Sequence, residues 1–198
     1  MELQTVIFTG RSGAGKGMQS EHLEKYLAEH SPNTPVLHIE TGEYFRKYVK
    51  EPGAVWDRAR KIIELGNRQP DFLAVWMWTT AFIQNFKGNE HLVFDGAPRA
   101  LPEAHILDTA LPFFDRVNPA VVYLKVSQEW AEERLKGRGR ADDLKSDVVA
   151  RRFAFFEKDV VPVIEHYRNN PEYHFLEING EQTPEQVFDD VRKGLNLS

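Results

Sequence analysis

An apolar, β-branched run at residues 5–9 leads directly into a glycine-rich loop that ends in Lys16. The glycines let the backbone curl so that its N–H groups point at phosphate oxygens, where a side chain would block the anion. Lys16 adds a mobile cation, and the helix expected from Gly17 to about Glu29 turns its positive end towards the same place. A strand, a glycine-rich loop and a helix in this order predict a phosphate-binding site.

Composition restricts the classes of protein that carry such a loop. The chain has 198 residues, 41% of them hydrophobic, which is enough for one sizeable core, and no segment resembles a linker between domains. It has no cysteine, and no apolar run approaches the roughly 18 residues that span a bilayer. Met1 leads directly into the first strand, and the net charge is −5. We therefore expect one cytoplasmic domain, residues 1–198, that binds neither nucleic acid nor membrane.

Short β-rich runs alternate with segments of helical periodicity, the pattern of a parallel sheet with helices on both faces. The strands are predicted at residues 4–9, 36–40, 91–95, 120–126 and 173–178. The helices are predicted at residues 16–29, 42–50, 55–65, 70–86, 101–108, 127–137, 143–169 and 184–195. Thr183 is the expected N-cap of the last helix. The aromatic residues of helix 70–86, including Phe72 and Trp76, are expected to pack in the core.

Ligands of such sheets bind beyond the carboxyl ends of the strands, and the chain carries its charged motifs there. The second strand is followed by TGEYFR at residues 41–46 and the third by DGAPR at 95–99, while RADD at 140–143 follows the helix after the fourth. With the glycine-rich loop, these segments match GxxGxGKG, TGxxxR, DGxPR and RxDD in the same order. The chain therefore resembles the adenylate kinase family of nucleoside monophosphate kinases, and the resemblance covers nearly all of it.

The resemblance implies a fold and a reaction. The fold is α/β, the three-layer P-loop NTPase fold, with a five-stranded parallel sheet and helices on both faces. The reaction is reversible phosphoryl transfer from ATP to a nucleoside monophosphate, with Mg²⁺ on the nucleotide and no structural zinc. Negative charge spreads over the transferred group in a loose transition state, so fixed cations supply most of the catalysis. The residues implied as catalytic are Lys16, Asp95, Arg99, Arg138, Arg140 and Arg152, with Asp95 acting on the metal through water.

The resemblance also assigns residues to the two nucleotides, which are the expected partners of a monomeric enzyme. The ATP-binding set is Gly13, Ala14, Gly15, Lys16, Gly17, Met18, Arg134, Arg138, Gly180 and Gln182. The set for the monophosphate is Thr41, Gly42, Arg46, Ile63, Asn67, Arg68, Gln69, Gly96, Arg99, Glu103, Arg140 and Arg152. Residues 42–70 are expected to form the mobile segment that closes over the acceptor.

Two neighbouring arginines compete for the clamp position on the helix after the basic run. Arg152 shares a helical face with three apolar residues and lies ten residues before Pro162, a separation common in the family, so we favour it over Arg151. Asp142 and Asp143 are implied to orient the arginines. Their alternative role is to cap the N-terminus of helix 143–169.

The chain departs from the family at three places, two of them near the phosphates. Met18 stands where threonine is common, which removes one side-chain contact to the donor phosphates. A single residue, Gly139, separates Arg138 from Arg140 where many relatives insert a longer lid, so residues 137–143 form a minimal lid turn. The acceptor-binding segment is then expected to perform most of the closure that excludes water.

The third departure concerns the acceptor base. The glutamine with which the family reads adenine is Glu103 here, and Gln69 replaces a small apolar residue. A glutamine donates to N1 of adenine and accepts from its 6-amino group, whereas an ionised carboxylate only accepts. We therefore expect weakened adenine discrimination, and an AMP preference that rises at least about fivefold in Glu103→Gln. Three alternatives remain open: Gln69 supplies the donor, Glu103 pairs with an arginine, or Glu103 turns to solvent.

AMP is the favoured acceptor at this stage, followed by GMP and then by UMP or CMP. A nucleotide-binding regulatory module without catalysis is the alternative from another class of protein. The chain carries Lys16 on the donor side and Arg99 on the acceptor side, together with the arginines of the basic run. A protein that only binds a nucleotide does not need cations on both sides of the transferred group, so we favour the enzyme.

Overall fold

The computed structural model describes residues 1–139, 143 and 145–197. Within this part of the chain, five strands form one sheet in the order β2-β3-β1-β4-β5, and every neighbouring pair is parallel. The strands are β1 (Thr5–Thr9), β2 (Val36–Glu40), β3 (His91–Asp95), β4 (Ala120–Lys125) and β5 (His174–Asn179). The predicted fold class is confirmed, and each strand ends within one residue of its expected position.

Helices cover both faces of the sheet, as parallel strands buried on both sides require. They are α1 (Lys16–His30), α2 (Thr41–Tyr48), α3 (Ala54–Glu64), α4 (Asp71–Asn85), α5 (Leu101–Phe113), α6 (Gln128–Arg138), α7 (Ser146–Phe155), α8 (Val161–Arg168) and α9 (Pro184–Gly194). Helix α5 continues five residues past its predicted end, because Leu107 and Leu111 lie one turn apart and are both buried.

The central strand shows how the two faces are divided. Alternate side chains of a strand point to opposite faces, so Val6 and Phe8 pack in one core while Ile7 packs in the other. The first core lies under α1, α6 and α9, and the second lies under α4, α5 and α8. With a helical layer on each side, the central strand is held rigidly, and the loop that follows it starts from a fixed position.

The long helix predicted over residues 143–169 is wrong in two respects. It begins at Ser146, with Lys145 as its N-cap, and it contains a π-helical turn at Phe156–Val160 between α7 and α8. Pro162 explains the turn, because proline has no N–H to donate and its ring would clash with the carbonyl four residues earlier in a regular α-helix. Thr183, by contrast, caps α9 as predicted, in a reciprocal pair of hydrogen bonds with Gln186.

The prediction that all the aromatic residues of α4 lie in the core is also wrong. Trp78 is fully buried, but Phe72 is 71% exposed and Trp76 is 42% exposed. Helix α4 is apolar around most of its circumference, so its periodicity did not identify which side meets the sheet. The outer side carries Trp76, which contacts Tyr48 of α2 and Trp56 of α3.

Helices α2 and α3 pack mainly on a small third core, which they share with α4, and Tyr44 of α2 also packs against the second main core. The buried members of this third core are Phe45, Ala59, Leu73 and Met77. Few apolar groups therefore hold this part of the chain, which is the property expected of a segment that moves. No helix among the described residues is both long and apolar enough to cross a membrane.

Candidate active site

The charged motifs gather at the carboxyl edge of the sheet, where β1 and β3 end side by side. Residues at the ends of both strands and in the loops after them line an open cavity. The wall is completed by the end of α7 and by the π-helical turn. The lining residues are Phe8, Thr9, Gly10, Arg11, Ser12, Lys16, Gly96, Pro98, Arg99, Phe155, Phe156 and Val160.

The loop after β1 has the backbone conformation that its glycines predict. Gly13 has φ of 89°, and a Cβ atom there would lie 2.6 Å from the carbonyl oxygen of Ala131. Any side chain at this position would push the loop away from α6. The Nζ of Lys16 donates to the carbonyl oxygens of Gly10 and Arg11, at 2.8 Å and 3.1 Å. The ammonium group is thus held by the backbone of the loop after β1.

The charge of Lys16 is finely balanced. Burial lowers the pKa of Lys16 to about 8, Asp95 opposes the shift, and Arg99 and Arg138 add to it. Burial has the opposite effect on the carboxylate and raises the pKa of Asp95, while the charges of Lys16 and Arg99 lower it. The charges of Asp95, Arg99 and Arg138 thus all act on the pKa of Lys16, which indicates that the four groups surround one site.

The loop after β3 fixes Arg99 through the backbone. The carbonyl oxygen of Gly96 accepts from Nε of Arg99 at 2.6 Å and from Oγ1 of Thr41 at 2.7 Å. A Cβ atom on Gly96, whose φ is 79°, would lie 2.5 Å from Nη2 of Arg99, so only glycine leaves room for this guanidinium. The carbonyl group of Gly96 thus connects the TGEYFR segment after β2 with the DGAPR segment at the end of β3.

Asp143 holds the basic residues from the other side of the site. Its side chain is fully buried and accepts from Nε and Nη2 of Arg138 at 2.7 Å and 2.8 Å. The same carboxylate accepts from Nη1 of Arg152 at 2.7 Å. One buried carboxylate therefore fixes two guanidinium groups from different helices, and the alternative role of Asp143 as the helix cap is wrong, because the cap is Lys145.

Arg151 and Arg152 are separated clearly. Arg151 donates to the carbonyl oxygen of Leu65 at 2.7 Å and pairs with Asp147 on its own helix, away from Asp143. Arg152 shares the carboxylate of Asp143 with Arg138. The pKa of Arg99 is lowered mainly by burial, and the charge of Arg152 lowers it further. Arg140 and Asp142, both assigned to the site from the sequence, lie outside the described residues.

The other residues assigned to ATP differ in how close they lie to the loop after β1. Gly180 follows β5, and a Cβ atom built on it would lie 3.6 Å from the carbonyl oxygen of Ala14. Arg134 lies over the ring of Trp130, with 5.8 Å between the guanidinium carbon and the ring centroid. Gln182 does not point to the loop, because its amide donates to Asn179 and Asp190. The remaining members of the set are Gly15, which is the N-cap of α1, and Gly17 and the exposed Met18 in the first turn of that helix.

The residues assigned to the acceptor are less tightly held. Arg46 is about half exposed and donates to Glu40 at 2.7 Å. Gly42 lies beside Arg46, since a Cβ atom built on Gly42 would lie 3.1 Å from Nη1 of Arg46. Ile63 packs against the small core of α2 and α3, and Asn67 is exposed. The part of the site formed by α2 and α3 is thus open, and its Arg46 lies at the surface.

Glu103 pairs with an arginine, one of the three alternatives that the sequence left open. Nη1 of Arg68 lies 3.2 Å from Oε1 of Glu103, whose side chain is only 2% exposed. Burial raises the pKa of Glu103, and Arg99 and Arg68 hold it down. Gln69 does not supply a donor to this corner, because its Nε2 donates to the carbonyl oxygen of Ala59 at 2.9 Å.

Sequence reasoning missed Arg11, which lines the cavity beside Lys16 and Arg99. Its guanidinium stacks on Phe156, 4.7 Å from the ring centroid, and donates to Glu157 at 3.0 Å. A cation inside a phosphate-binding loop is a visible signal in the sequence. Its partner is not, because the ion pair spans 146 residues and depends on the π-helical turn.

The donor set of the site suits magnesium held by nucleotide phosphates better than a metal held by protein alone. No group of three or more His, Asp or Glu side chains within the described residues could hold a metal ion. The carboxylate of Asp95 lies beside the loop, with Oδ2 3.3 Å from a Cβ atom built on Gly17. A single hard oxygen donor next to a phosphate cradle fits Mg²⁺, which keeps several waters and shares phosphate oxygens.

A parallel sheet whose first strand leads into a phosphate cradle, with fixed cations around it, defines a P-loop phosphotransferase. The comparisons with known proteins agree. A sequence model described as adenylate kinase matches residues 8–172. An adenylate kinase of Flavobacterium psychrophilum is 29% identical over 196 residues, covering 96% of this chain and 97% of that relative. An adenylate kinase of Bacteroides fragilis is 32% identical over 199 residues, covering 98% of each chain. The chain belongs to the adenylate kinase family and is a nucleoside monophosphate kinase.

Proposed function

We propose that this protein is a monomeric, cytoplasmic enzyme that transfers the terminal phosphoryl group of ATP to AMP, reversibly and with Mg²⁺. The observation that supports this most strongly is the set of cations around one cavity. Lys16 and Arg99 line it, and Asp143 holds Arg138 and Arg152 beside them. Two anionic substrates repel each other, so cations that reach both are what a transfer reaction needs and a binding module does not.

The donor phosphates bind in the loop between β1 and α1 in this proposal. Backbone N–H groups and the positive end of α1 face the β- and γ-phosphates. Lys16 exchanges its two carbonyl partners, Gly10 and Arg11, for phosphate oxygens. Binding of these anions stabilises the protonated form of Lys16, so the cation is fully charged when the chemistry occurs.

The acceptor phosphate binds on the other side of the transferred group. Arg99 is held at the end of β3 and Arg46 approaches from α2, so the two guanidinium groups enclose the α-phosphate of the monophosphate. Arg46 now pairs with Glu40 at the surface, and closure of residues 42–70 exchanges that carboxylate for the substrate. Arg138, Arg152 and Arg140 then neutralise the charge that spreads over the phosphoryl group.

Magnesium supplies charge neutralisation on the donor phosphates when it is bound. Asp95 is the residue that would hold it, through water, at the end of β3. The metal and the acceptor base are expected to contact different residues. Asp95 is 7% exposed and lies beside the loop, whereas Glu103 lies on α5. The minimal lid turn at 137–143 leaves exclusion of water mainly to the acceptor segment.

One coupled assay tests the proposal. Purified protein is mixed with MgATP and, separately, with AMP, GMP, UMP and CMP, and ADP formation is followed. We expect AMP to give the highest kcat/KM. A higher value for GMP, UMP or CMP assigns the enzyme to that monophosphate instead. Binding of ATP without transfer to any of the four supports the non-catalytic module and contradicts the proposed reaction.

A further inference from the structure

The loop between β1 and α1 carries a second cation, Arg11, for which the proposed reaction has no role. Its side chain lines the same cavity as Lys16 and Arg99. In the proposed reaction, Lys16 binds the donor phosphates and Arg99 binds the phosphate of the acceptor. The cavity that these two cations share is then the space in which the phosphoryl group moves from one nucleotide to the other. Arg11 lies beside that space.

Two aromatic rings hold the guanidinium of Arg11 in this position. Its central carbon lies 4.7 Å from the ring centroid of Phe156, in the π-helical turn, and 5.9 Å from that of Phe153, in α7. A guanidinium that packs on an aromatic ring keeps its N–H groups at its edge, where they can reach phosphate oxygens. The rings thus orient a cation without using its hydrogen-bond donors.

The donors of Arg11 are only partly used. Nη2 donates to Glu157 at 3.0 Å, and the side chain of Glu157 is 60% exposed, whereas that of Arg11 is 14% exposed. Within the described residues, the guanidinium makes no other hydrogen bond, and its Nε is buried without an acceptor. An ion pair with an exposed carboxylate adds little stability, and an unpaired buried donor costs some. A phosphate that enters the cavity can therefore replace Glu157 and use more of the donors.

We infer that Arg11 is a further catalytic residue, whose guanidinium leaves Glu157 when the nucleotide binds and donates to the transferred phosphoryl group. The inference rests on the proposed function for the location of the phosphates. The two residues after Lys16 are Gly17 and Met18, which have no hydroxyl group to offer. Arg11 adds a positive charge to the same loop, on the side where negative charge spreads in the transition state.

A purely structural role for Arg11 predicts a different pattern. In that case Arg11 only ties the loop to the π-helical turn, and breaking the pair from either side has the same effect. Glu157→Gln removes the partner's charge but leaves the guanidinium on the ring of Phe156. If Arg11 acts on the phosphoryl group, the loss therefore appears when Arg11 is changed and does not appear when Glu157 is changed.

The experiment measures kcat and KM for MgATP and AMP, and the dissociation constants of ADP and of an ATP analogue with an imido group between its β- and γ-phosphates. The wild type is compared with Arg11→Met, Arg11→Lys, Glu157→Gln and Arg168→Met. Arg168→Met is the matched control. Arg168 also lies 4.7 Å from the centroid of an aromatic ring, that of Phe175, and pairs with a carboxylate, but it does not line the cavity.

We expect Arg11→Met to lower kcat at least about tenfold, because it removes a charge that acts on the transition state. It should weaken binding of the ATP analogue at least about threefold and that of ADP less than about twofold, since only the analogue carries a γ-phosphate. Arg11→Lys keeps the charge without the planar donor group and should lower kcat about threefold. Glu157→Gln and Arg168→Met should keep kcat within about twofold of the wild type.

Two results overturn the inference: a kcat within about twofold of the wild type in Arg11→Met, or an equal loss of kcat in Glu157→Gln. If Arg11→Met does not fold, the same two criteria are applied to Arg11→Lys. The dissociation constants keep the two proposals separate. A wild type that binds the nucleotides but transfers to no monophosphate contradicts the proposed reaction. The analogue and ADP still test Arg11 in that case, and equal changes in their binding overturn the contact with the γ-phosphate.

Discussion

The phosphate half of the site and the acceptor segment are built in opposite ways. Around the phosphates, each basic group has a fixed partner: Lys16 is held by loop carbonyls, Arg99 by Gly96, and two arginines by Asp143. All of this rests on a sheet packed on both faces. In the acceptor segment, Arg46 lies near the surface, and α2 and α3 share only a small core.

The difference shows where each property of a phosphotransferase is placed. Catalysis by electrostatic stabilisation needs dipoles and charges that do not reorganise during the reaction, and a rigid sheet edge provides them. Substrate capture and exclusion of water need a part that moves, and we propose that the weakly packed segment at residues 42–70 provides it. We expect mutations in the first region to lower kcat and mutations in the second to change KM or base preference.

The largest effect is expected at Lys16 and Arg99. Lys16→Met or Arg99→Met removes a preorganised charge that acts mainly on the transition state, so kcat should fall at least about 100-fold, near 3 kcal/mol. The fold should survive, because neither side chain is part of the two main cores. Steady-state kinetics and a circular dichroism spectrum check this. A variant with wild-type kcat would contradict the division between the two regions.

A smaller effect is expected when the buried carboxylate is neutralised. Asp143→Asn keeps the shape but leaves Arg138 and Arg152 without their shared charge, so kcat should fall about 20-fold. Stability should fall by about 1–3 kcal/mol, less than for a fully enclosed pair, because Arg138 is partly exposed. Kinetics and thermal unfolding are measured together. Equal losses in Asp147→Asn, which breaks only the surface pair with Arg151, would contradict the account.

The activity of the phosphate half of the site is expected to depend on pH through Lys16. Because the pKa of Lys16 is lowered to about 8, its charge is lost as pH rises through that value. The free enzyme's kcat/KM for MgATP should then fall about tenfold between pH 7 and pH 9, while kcat falls at higher pH because bound phosphates raise the pKa.

Unfolding is not the cause of that expected loss. The unfolded state keeps Lys16 protonated up to its ordinary value of 10.5, so between about 8 and 10.5 this group adds stability as pH rises. Thermal unfolding at each pH provides the control. A flat kcat/KM between pH 7 and pH 9 would show that Lys16 stays charged in the free enzyme.

The smallest effect is expected in the absence of acceptor. From the sequence, which has only Gly139 between Arg138 and Arg140, we expect the phosphates to stay open to water, so ATP hydrolysis without a monophosphate should be measurable, though far slower than transfer. Release of inorganic phosphate is followed with and without AMP. If release is undetectable while transfer is fast, the acceptor segment seals the site without help from a lid, and the mobile region does more than we assign to it.

Most of the fold was predictable from sequence, because the strands are short, apolar and separated by clear helical periods. The errors lie where tertiary packing decides. Periodicity marked the whole of α4 as apolar, yet it could not show that Phe72 faces outward. Pro162 was visible in the sequence, but the π-helical turn before it depends on how a continuous helix accommodates the ring.

Those parts of the candidate site that lie within a single sequence motif were predictable. Asp95 ends β3, while Lys16 and Arg99 follow β1 and β3, and because these strands end at one edge of the sheet, the proximity of the three residues follows from the topology. The ion pair between Arg68 and Glu103 joins residues 35 apart in two different motifs, and neither motif indicates the other. Pairing between distant charged residues is decided by the final packing, which the residue pattern alone does not contain.

The proposed transfer reaction is observed directly in a ³¹P NMR time course of the purified protein with ATP, AMP and Mg²⁺. We predict that the signals of ATP and AMP decline together and that ADP accumulates as two molecules for each ATP consumed. Inorganic phosphate should remain a minor signal. Under the same conditions Lys16→Met should show at most about one hundredth of the wild-type rate. Phosphate appearing in place of ADP, or no change in either nucleotide, would contradict the account.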